Sequence, residues 1–502
     1  MDAAAHDRRV AIRLALVLSV GLAIFHRGHF MSSDELGVFF QAKSIAEDGT
    51  LAVPTRVFMA YPGRDVRSYS QYVVGQSLLA APFYATGRLL TARLGMEAHR
   101  TLAGALGMES WLGEPIVGAG AFSVLFYPPI VGGTLAALFF LFERRLGASR
   151  HAALLASLAL ALCTHAALIS TLFLQHGSET LLALAAFYFW HRYREHGAAR
   201  DVLLGSACAS AIFNVRAVGA LNGLALGGYL LFVLIERTRK PEEGRALART
   251  LASAALPVAI SAGLYVTVNW LKWGTWLESP QLEERSTLGG DPREALLGFL
   301  VSPGMSVFLY TPLLLLAPVS VAQFWRRHRP EAIAMLALFV STLAFYSTYK
   351  LWTGLYSCPG PRYLFTAMVF LMLPLGPWLD SARGALSRAS FGVLAAGGAA
   401  VQLLSITVAW GRLIVTEGWG LWKPDFGFVF DWHAAPLFAA ARNAFDPIYW
   451  DLWLPRTALG WPGQAGKPAL AAVIFALWGI VVTLLAFRLR RALDEAEASR
   501  EA

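Results

Sequence analysis

Two adjacent carboxylates, Asp34 and Glu35, follow the first apolar run of this chain within about two helical turns of its end, which places acids at a water–lipid boundary, a location suited to chemistry. The segment they open, from Asp34 to Gly49, has apolar residues at helical spacing and a glycine stop, so it reads as an amphipathic surface helix with Ser33 or Asp34 at its N-terminus. Helix capping is therefore the competing role for the acidic pair. Gln175-His176-Gly177-Ser178-Glu179 sets a histidine and a glutamate one helical turn apart, a spacing that can hold a divalent cation or cap a helix. Arg216 lies in a polar break between two apolar runs, where an arginine needs a partner, water or a lipid phosphate. A late segment with Trp419, Trp422, Asp425, Asp431, Trp432, His433, Asp446, Trp450, Asp451 and Trp453 mixes rings and carboxylates, a composition that suits carbohydrate and also an interfacial aromatic belt.

The elements that must position these residues are membrane helices. At 502 residues and 56% hydrophobic, with 15% charged residues and a mean hydropathy of +0.51, the chain is too apolar for a soluble core of its size. Its formal charge of +9 comes in short basic clusters between apolar runs, the distribution of a topology signal, which argues against nucleic-acid binding. Cys163, Cys208 and Cys358 give no disulfide or metal framework and read as packing residues.

Runs of spanning length fall at about 10 to 26, 116 to 142, 151 to 171, 179 to 192, 201 to 213, 217 to 235, 250 to 270, 306 to 325, 331 to 349, 363 to 379, 391 to 410 and 468 to 487. The expectation is an all-α integral membrane protein of about 12 transmembrane helices, with a break at Asn214-Val215-Arg216 and the first run as an uncleaved anchor. With both termini cytoplasmic, the connections carrying Arg8-Arg9, Arg144-Arg145, Arg192 and Arg194, Arg237 to Lys240, Arg326 to Arg329, Arg383 and Arg388, and Arg488 to Arg491 all lie inside. Counting Gly75 to Leu90 as a further span would invert every later connection, so this stretch is expected to lie at the interface. Three long connections, 27–115, 271–305 and 411–467, are then outside, and function is expected there.

Asp-Glu just after the first span, followed by an amphipathic helix ending in glycine, resembles the first outer loop of the GT-C superfamily of membrane glycosyltransferases, in particular the protein O-mannosyltransferases and lipid A aminoarabinose transferases. Tyr72-Val-Val-Gly-Gln-Ser-Leu-Leu-Ala-Ala-Pro82, Gly132 to Arg145, Ser302-Pro-Gly with Tyr310-Thr-Pro312, and Gly360-Pro-Arg-Tyr363 are similar to the pattern, which extends to about residue 375. The resemblance implies a GT-C type fold with interfacial helices in the first outer loop. It also implies a polyprenyl-phosphate-linked sugar donor and an acceptor glycan, lipid or protein. Asp34 is implied as the general base that takes the acceptor proton, with Glu35 turned about 100° away toward acceptor or metal. Lys350, Arg362 and Arg216, all at span ends, are the expected contacts to the departing phosphate, and Glu179, with His176, the expected second acidic or metal-binding position.

The implied organisation is a catalytic unit over 1–410 followed by the Trp/Asp-rich loop and last span over 411–502. The expected activity is an inverting transfer of a hexose or pentose at the outer face of the plasma membrane; a divalent cation is compatible, though no motif demands one. Rival readings are a transporter or lipid-glycan flippase, and a ligase using a pyrophosphate-linked glycan. Transport is disfavoured because there is no internal repeat and most charges sit at span ends, Arg13 being the exception.

Overall fold

The computed structural model describes residues 3–55, 57, 59–94, 115–239, 247–277, 280, 288–382, 384–419, 426–460 and 465–501. Trp422, Asp425, Lys240 and Arg383 lie outside the described residues. The fold is helical almost throughout; the sheet among the described residues is the antiparallel pair β1 (Ala60–Pro62) and β2 (Ser68–Ser70), with Tyr61 opposite Tyr69. Among the described residues, seven helices are long and apolar enough to cross a membrane: Gly118–Arg145, Ala217–Thr238, Leu247–Trp273, Arg329–Ser347, Arg362–Ser381, Ala385–Thr407 and Pro468–Glu495. Arg150–Cys163 and Pro312–Trp325 are shorter apolar helices. The expected runs at 10–26, 179–192 and 201–213 are helical as α1 (Ala3–Ala23), His176–His196 and Ala199–Val215.

Proline marks two of the places where the expected runs are interrupted. The run at 306–325 divides into Val307–Tyr310, a 3₁₀ turn over Pro312–Leu316 and Ala317–Trp325, because Pro312 has no N–H to continue the helical ladder. The run at 363–379 becomes Phe365–Leu371 and Leu375–Ser381, with Pro374 at the junction. The polar break at residues 214–216 is real: the helix stops at Val215, and Arg216 is extended before the chain turns into the next helix.

The first long connection holds two helices, α2 (Ser33–Asp48) and α3 (Gly75–Leu94). The cap of α2 is Ser32, one residue earlier than expected, in a capping box with Glu35, and Gly49 closes the helix in the left-handed region at φ 65°. α3 docks on α2 through the Ser77 hydroxyl, which donates to the Val38 carbonyl and to Gln41 Oε1, each at 3.0 Å. Its start can approach the 214–216 break because residue 75 is glycine; a Cβ there would lie 2.6 Å from the Asn214 carbonyl oxygen. At 20 residues α3 is not among the seven apolar spans.

Opposite ends of the bundle differ in chemistry. At one end, ion pairs tie helix termini together: Asp7 with Arg144 (3.0 Å) and Arg150 (2.6 Å), and buried Glu331 with His191 (3.0 Å) and Arg194 (2.8 Å). At the other end, where the long connections gather, Asp451 accepts from Arg27 at 2.7 Å and pairs with His29 at 2.8 Å. Trp453 stacks on His26 with centroids 5.2 Å apart. These contacts fasten the last long connection to the chain leaving α1. Asp451 and Trp453 are thereby committed to packing rather than to a sugar, while Trp432 is 64% exposed.

The strap gives a pH prediction. Burial alone would raise the Asp451 carboxyl, yet His29 and Arg27 hold it at about 2. Burial would lower His29, but Asp451 raises it above its ordinary 6.5. Asp451 contributes stability above its ordinary value of 3.8, and that contribution is lost as pH falls toward about 2. His29 contributes below 6.5 and loses its contribution as pH rises through its raised value. The thermal midpoint of the purified protein should therefore be highest between these limits. Asp451→Ala should lower it by the equivalent of about 3–5 kcal/mol, because Arg27 is left buried and unpaired. A wild-type midpoint indifferent to pH over this range would remove the strap from the stability account.

Candidate active site

The residues named from sequence converge at the end of the bundle that carries the long connections. Asp34, His176, Arg216 and Arg362 line one cavity of about 300 Å³ together with Tyr72, Tyr356 and Tyr363. Asp34 comes from the first turn of α2, His176 from the start of a helix, Arg216 from the 214–216 break, and Arg362 from the turn preceding Phe365–Leu371.

Asp34 is a shared acceptor. Its Oδ1 accepts from the Tyr72 hydroxyl at 2.5 Å, and its Oδ2 accepts from the Ser357 hydroxyl at 3.0 Å and Arg362 Nη1 at 3.3 Å. Burial, then the neighbouring Asp34 carboxylate, push the Tyr72 phenol well above its ordinary value, so it remains a donor. The side chain of Asp34 is 17% exposed, enough to meet a ligand while three donors fix its orientation.

Glu35 is placed differently. It is 2% exposed, and its carboxylate accepts from the backbone N–H groups of Met31 (2.5 Å), Ser32 (3.0 Å) and Phe173 (2.6 Å). Burial dominates these bonds and raises its carboxyl above the ordinary value. The Phe173 carbonyl in turn accepts from Gln76 at 2.8 Å. Both backbone polar groups of Phe173 are thus held by the first long connection, which fixes the approach to Gln175 and His176. Glu35 is not among the residues lining the cavity.

The cations are embedded in aromatic rings. Arg362, 1% exposed, lies over Tyr356 at 4.8 Å and Tyr363 at 5.0 Å, and its Nε has no protein partner. Arg216 lies over Tyr346 at 5.7 Å and Tyr363 at 5.8 Å, so Tyr363 sits beside both guanidinium groups. Gly354, at φ 60°, makes room for this packing; a Cβ there would stand 2.8 Å from Arg362 Nε. Glu179 is behind this layer, bonded to Arg216 at 2.9 Å and Asn222 at 2.6 Å. Lys350 is exposed and does not line the cavity, although its neighbours Tyr349 and Leu351 do.

Metal chemistry was open for His176 and Glu179. Among the described residues there is no group of three or more His, Cys, Asp or Glu side chains arranged to hold a metal ion. Glu179 faces Arg216 and Asn222, while both ring nitrogens of His176 are buried without a protein partner.

Several contributors had no sequence signal as site residues. Tyr72 and Tyr363 belong to recognisable stretches, yet nothing local says that one orients Asp34 and the other meets two arginines. Ser357 reaches Asp34 across 323 residues. Lys272, 1% exposed, donates to the carbonyls of Ser70 (3.0 Å) and Tyr72 (2.7 Å) and so holds the Tyr72 backbone in place. A lysine just past the end of an apolar run was the available clue.

No family model matches the chain, and no curated protein matches it. Among solved structures, ArnT from Cupriavidus metallidurans in the apo state aligns with a TM-score of 0.50 at 15% identity, covering 97% of this chain and 74% of that one. ArnT bound to undecaprenyl phosphate aligns with a TM-score of 0.48 at 14% identity, covering 97% and 73%. The archaeal oligosaccharyltransferase AglB from Archaeoglobus fulgidus, in complex with an inhibitory peptide and a dolichol-phosphate, gives 0.42 at 13% identity over 78% and 54%. The likeness to apo ArnT identifies the fold of this chain as the all-α, multi-pass GT-C type.

Proposed function

We propose that the protein is an inverting glycosyltransferase that moves a sugar from a polyprenyl monophosphate to an acceptor hydroxyl at the outer face of the plasma membrane. The observation that carries this reading is the joining of Asp34 to Arg362, with Arg216 in the same cavity. The same cavity holds a carboxylate able to accept a proton and guanidinium groups able to receive a phosphate. The outer placement rests on the contrast between the arginine-rich end of the bundle and the end with the long connections. The sequence resemblance and the two guanidinium groups of the cavity together support a lipid-linked phosphate as the donor.

In the proposed reaction the acceptor oxygen attacks the anomeric carbon from the face opposite the phosphate. The C1–O bond to phosphate breaks, its electron pair leaves with the polyprenyl phosphate, and the acceptor proton passes to Asp34. Arg362 has a free Nε as well as its contact to Asp34, so one planar group can bridge base and phosphate. Arg216, backed by Glu179, supplies the second cation, and exposed Lys350 is assigned to the mouth. Glu35 is a positioning residue that fixes the start of α2.

Release of polyprenyl phosphate from polyprenyl-phosphate sugars by the purified protein in nanodiscs tests the reading. Asp34→Asn should cut release by about 10²–10⁴-fold while bare polyprenyl phosphate still binds, with a lower thermal midpoint because Arg362 loses its charge partner; full activity would end the base assignment. Glu35→Ala should lower the thermal midpoint by the equivalent of about 1–3 kcal/mol, since three backbone N–H groups lose their acceptor. Arg362→Ala should weaken binding of bare polyprenyl phosphate, and unchanged binding would take Arg362 out of the phosphate site.

A further inference from the structure

The cavity wall also constrains the sugar, given the glycosyl-transfer reading on which this step rests. Among the described residues lining the cavity, Asp34 is the sole carboxylate, and its oxygens already accept from Tyr72, Ser357 and Arg362. The two nearest alternatives are engaged elsewhere: Glu35 on three backbone N–H groups, Glu179 on Arg216 and Asn222. A sugar ammonium placed here would face two guanidinium groups, and the one lining carboxylate, Asp34, is already assigned to Arg362 and the acceptor proton. Burying a charge without a paired partner is strongly unfavourable.

The wall does offer neutral hydrogen-bonding groups. Gln71, Gln175 and His176 all line the cavity and are 6%, 8% and 6% exposed. Gln71 Oε1, Gln175 Nε2 and both ring nitrogens of His176 have no protein partner. A buried polar atom left unmade costs about 1–3 kcal/mol, so a cluster of them beside one cavity points to a polar ligand that completes them. The set holds an amide acceptor, an amide donor and an imidazole that can act as both. A sugar hydroxyl, which donates one hydrogen bond and accepts others, matches each member.

We infer that the transferred sugar is a neutral, hydroxyl-rich one without an amino substituent, read by Gln71, Gln175 and His176. The similarity to aminoarabinose transferases then covers the fold and not the donor sugar.

The test compares donors on the full chain in nanodiscs: polyprenyl-phosphate mannose and glucose against polyprenyl-phosphate 4-amino-4-deoxyarabinose, with bare polyprenyl phosphate binding as the control for an intact phosphate site. Asp34-dependent release is expected from a neutral donor, with kcat/KM for the amino sugar lower by about ten-fold or more, the equivalent of one unmet polar pairing. Gln71→Leu and Gln175→Leu should each raise the neutral donor's KM about ten-fold without changing affinity for bare polyprenyl phosphate. Gln175→Glu, which supplies the missing carboxylate, should shift preference toward the amino sugar. Equal or better use of the amino sugar by the wild type, or an unchanged KM in both leucine variants, overturns the sugar assignment and leaves the glycosyl-transfer reading intact. Release from no donor, by protein that still binds bare polyprenyl phosphate, overturns both.

Discussion

The arrangement at the cavity depends on a guanidinium that has almost no contact with water. Arg362 is 1% exposed, so its charge has to be met by protein. Asp34 supplies the opposite charge at 3.3 Å, and the faces of Tyr356 and Tyr363 supply softer electrostatic contact. Because those partners come from α2 and from the 356–363 segment, satisfying this one cation brings the first long connection against a segment 328 residues later. Arg216 repeats the solution with Glu179, Tyr346 and the same Tyr363. The site is in that sense a by-product of how two buried arginines are neutralised.

Adjacent carboxylates take unequal roles here because a helix sends them in different directions. Glu35 falls at the position where a capping-box side chain reaches back to the cap backbone, and burial then commits it to three N–H groups. Asp34, one residue earlier, turns toward the 357–362 segment and keeps partial exposure. A carboxylate that already satisfies three backbone donors cannot also follow a moving proton. A carboxylate held by two hydroxyls and an arginine can exchange one of those donors for a ligand.

Local signals were legible wherever a short stretch fixes its own backbone. Ser32 with Glu35 three residues on, and Gly49 at the far end, write the limits of α2, although the sequence reading put the cap at Ser33 or Asp34. Asn214-Val215-Arg216 showed its break through polarity alone. Pro312 and Pro374 were visible too; the helix is interrupted at each, while Arg362–Ser381 is still one stretch long and apolar enough to span. Long-range partnerships had no such trace. Nothing near Lys272 shows that its ammonium holds carbonyls about 200 residues earlier, and nothing near Ser357 announces Asp34. The aromatic and acidic residues of the last long connection suited carbohydrate by composition. Asp451 and Trp453 instead serve the junction with Arg27 and His26, a role that only packing reveals.

Irregular backbone close to a membrane has to be satisfied by protein, and the cavity walls consist largely of irregular backbone. The chain meets this requirement with side chains acting as clamps: Gln76 on the Phe173 carbonyl, Lys272 on those of Ser70 and Tyr72, Gln402 on that of Tyr310, and Trp410 on that of Leu355. These polar side chains serve as scaffolding, which is why polarity alone was a poor guide to the site. The informative atoms are those left over after the backbone has been served. Around this cavity they are the free Nε of Arg362, the amide atoms of Gln71 and Gln175, and the two ring nitrogens of His176. Their common location beside Asp34 is what separates a binding site from a well-sealed helix junction.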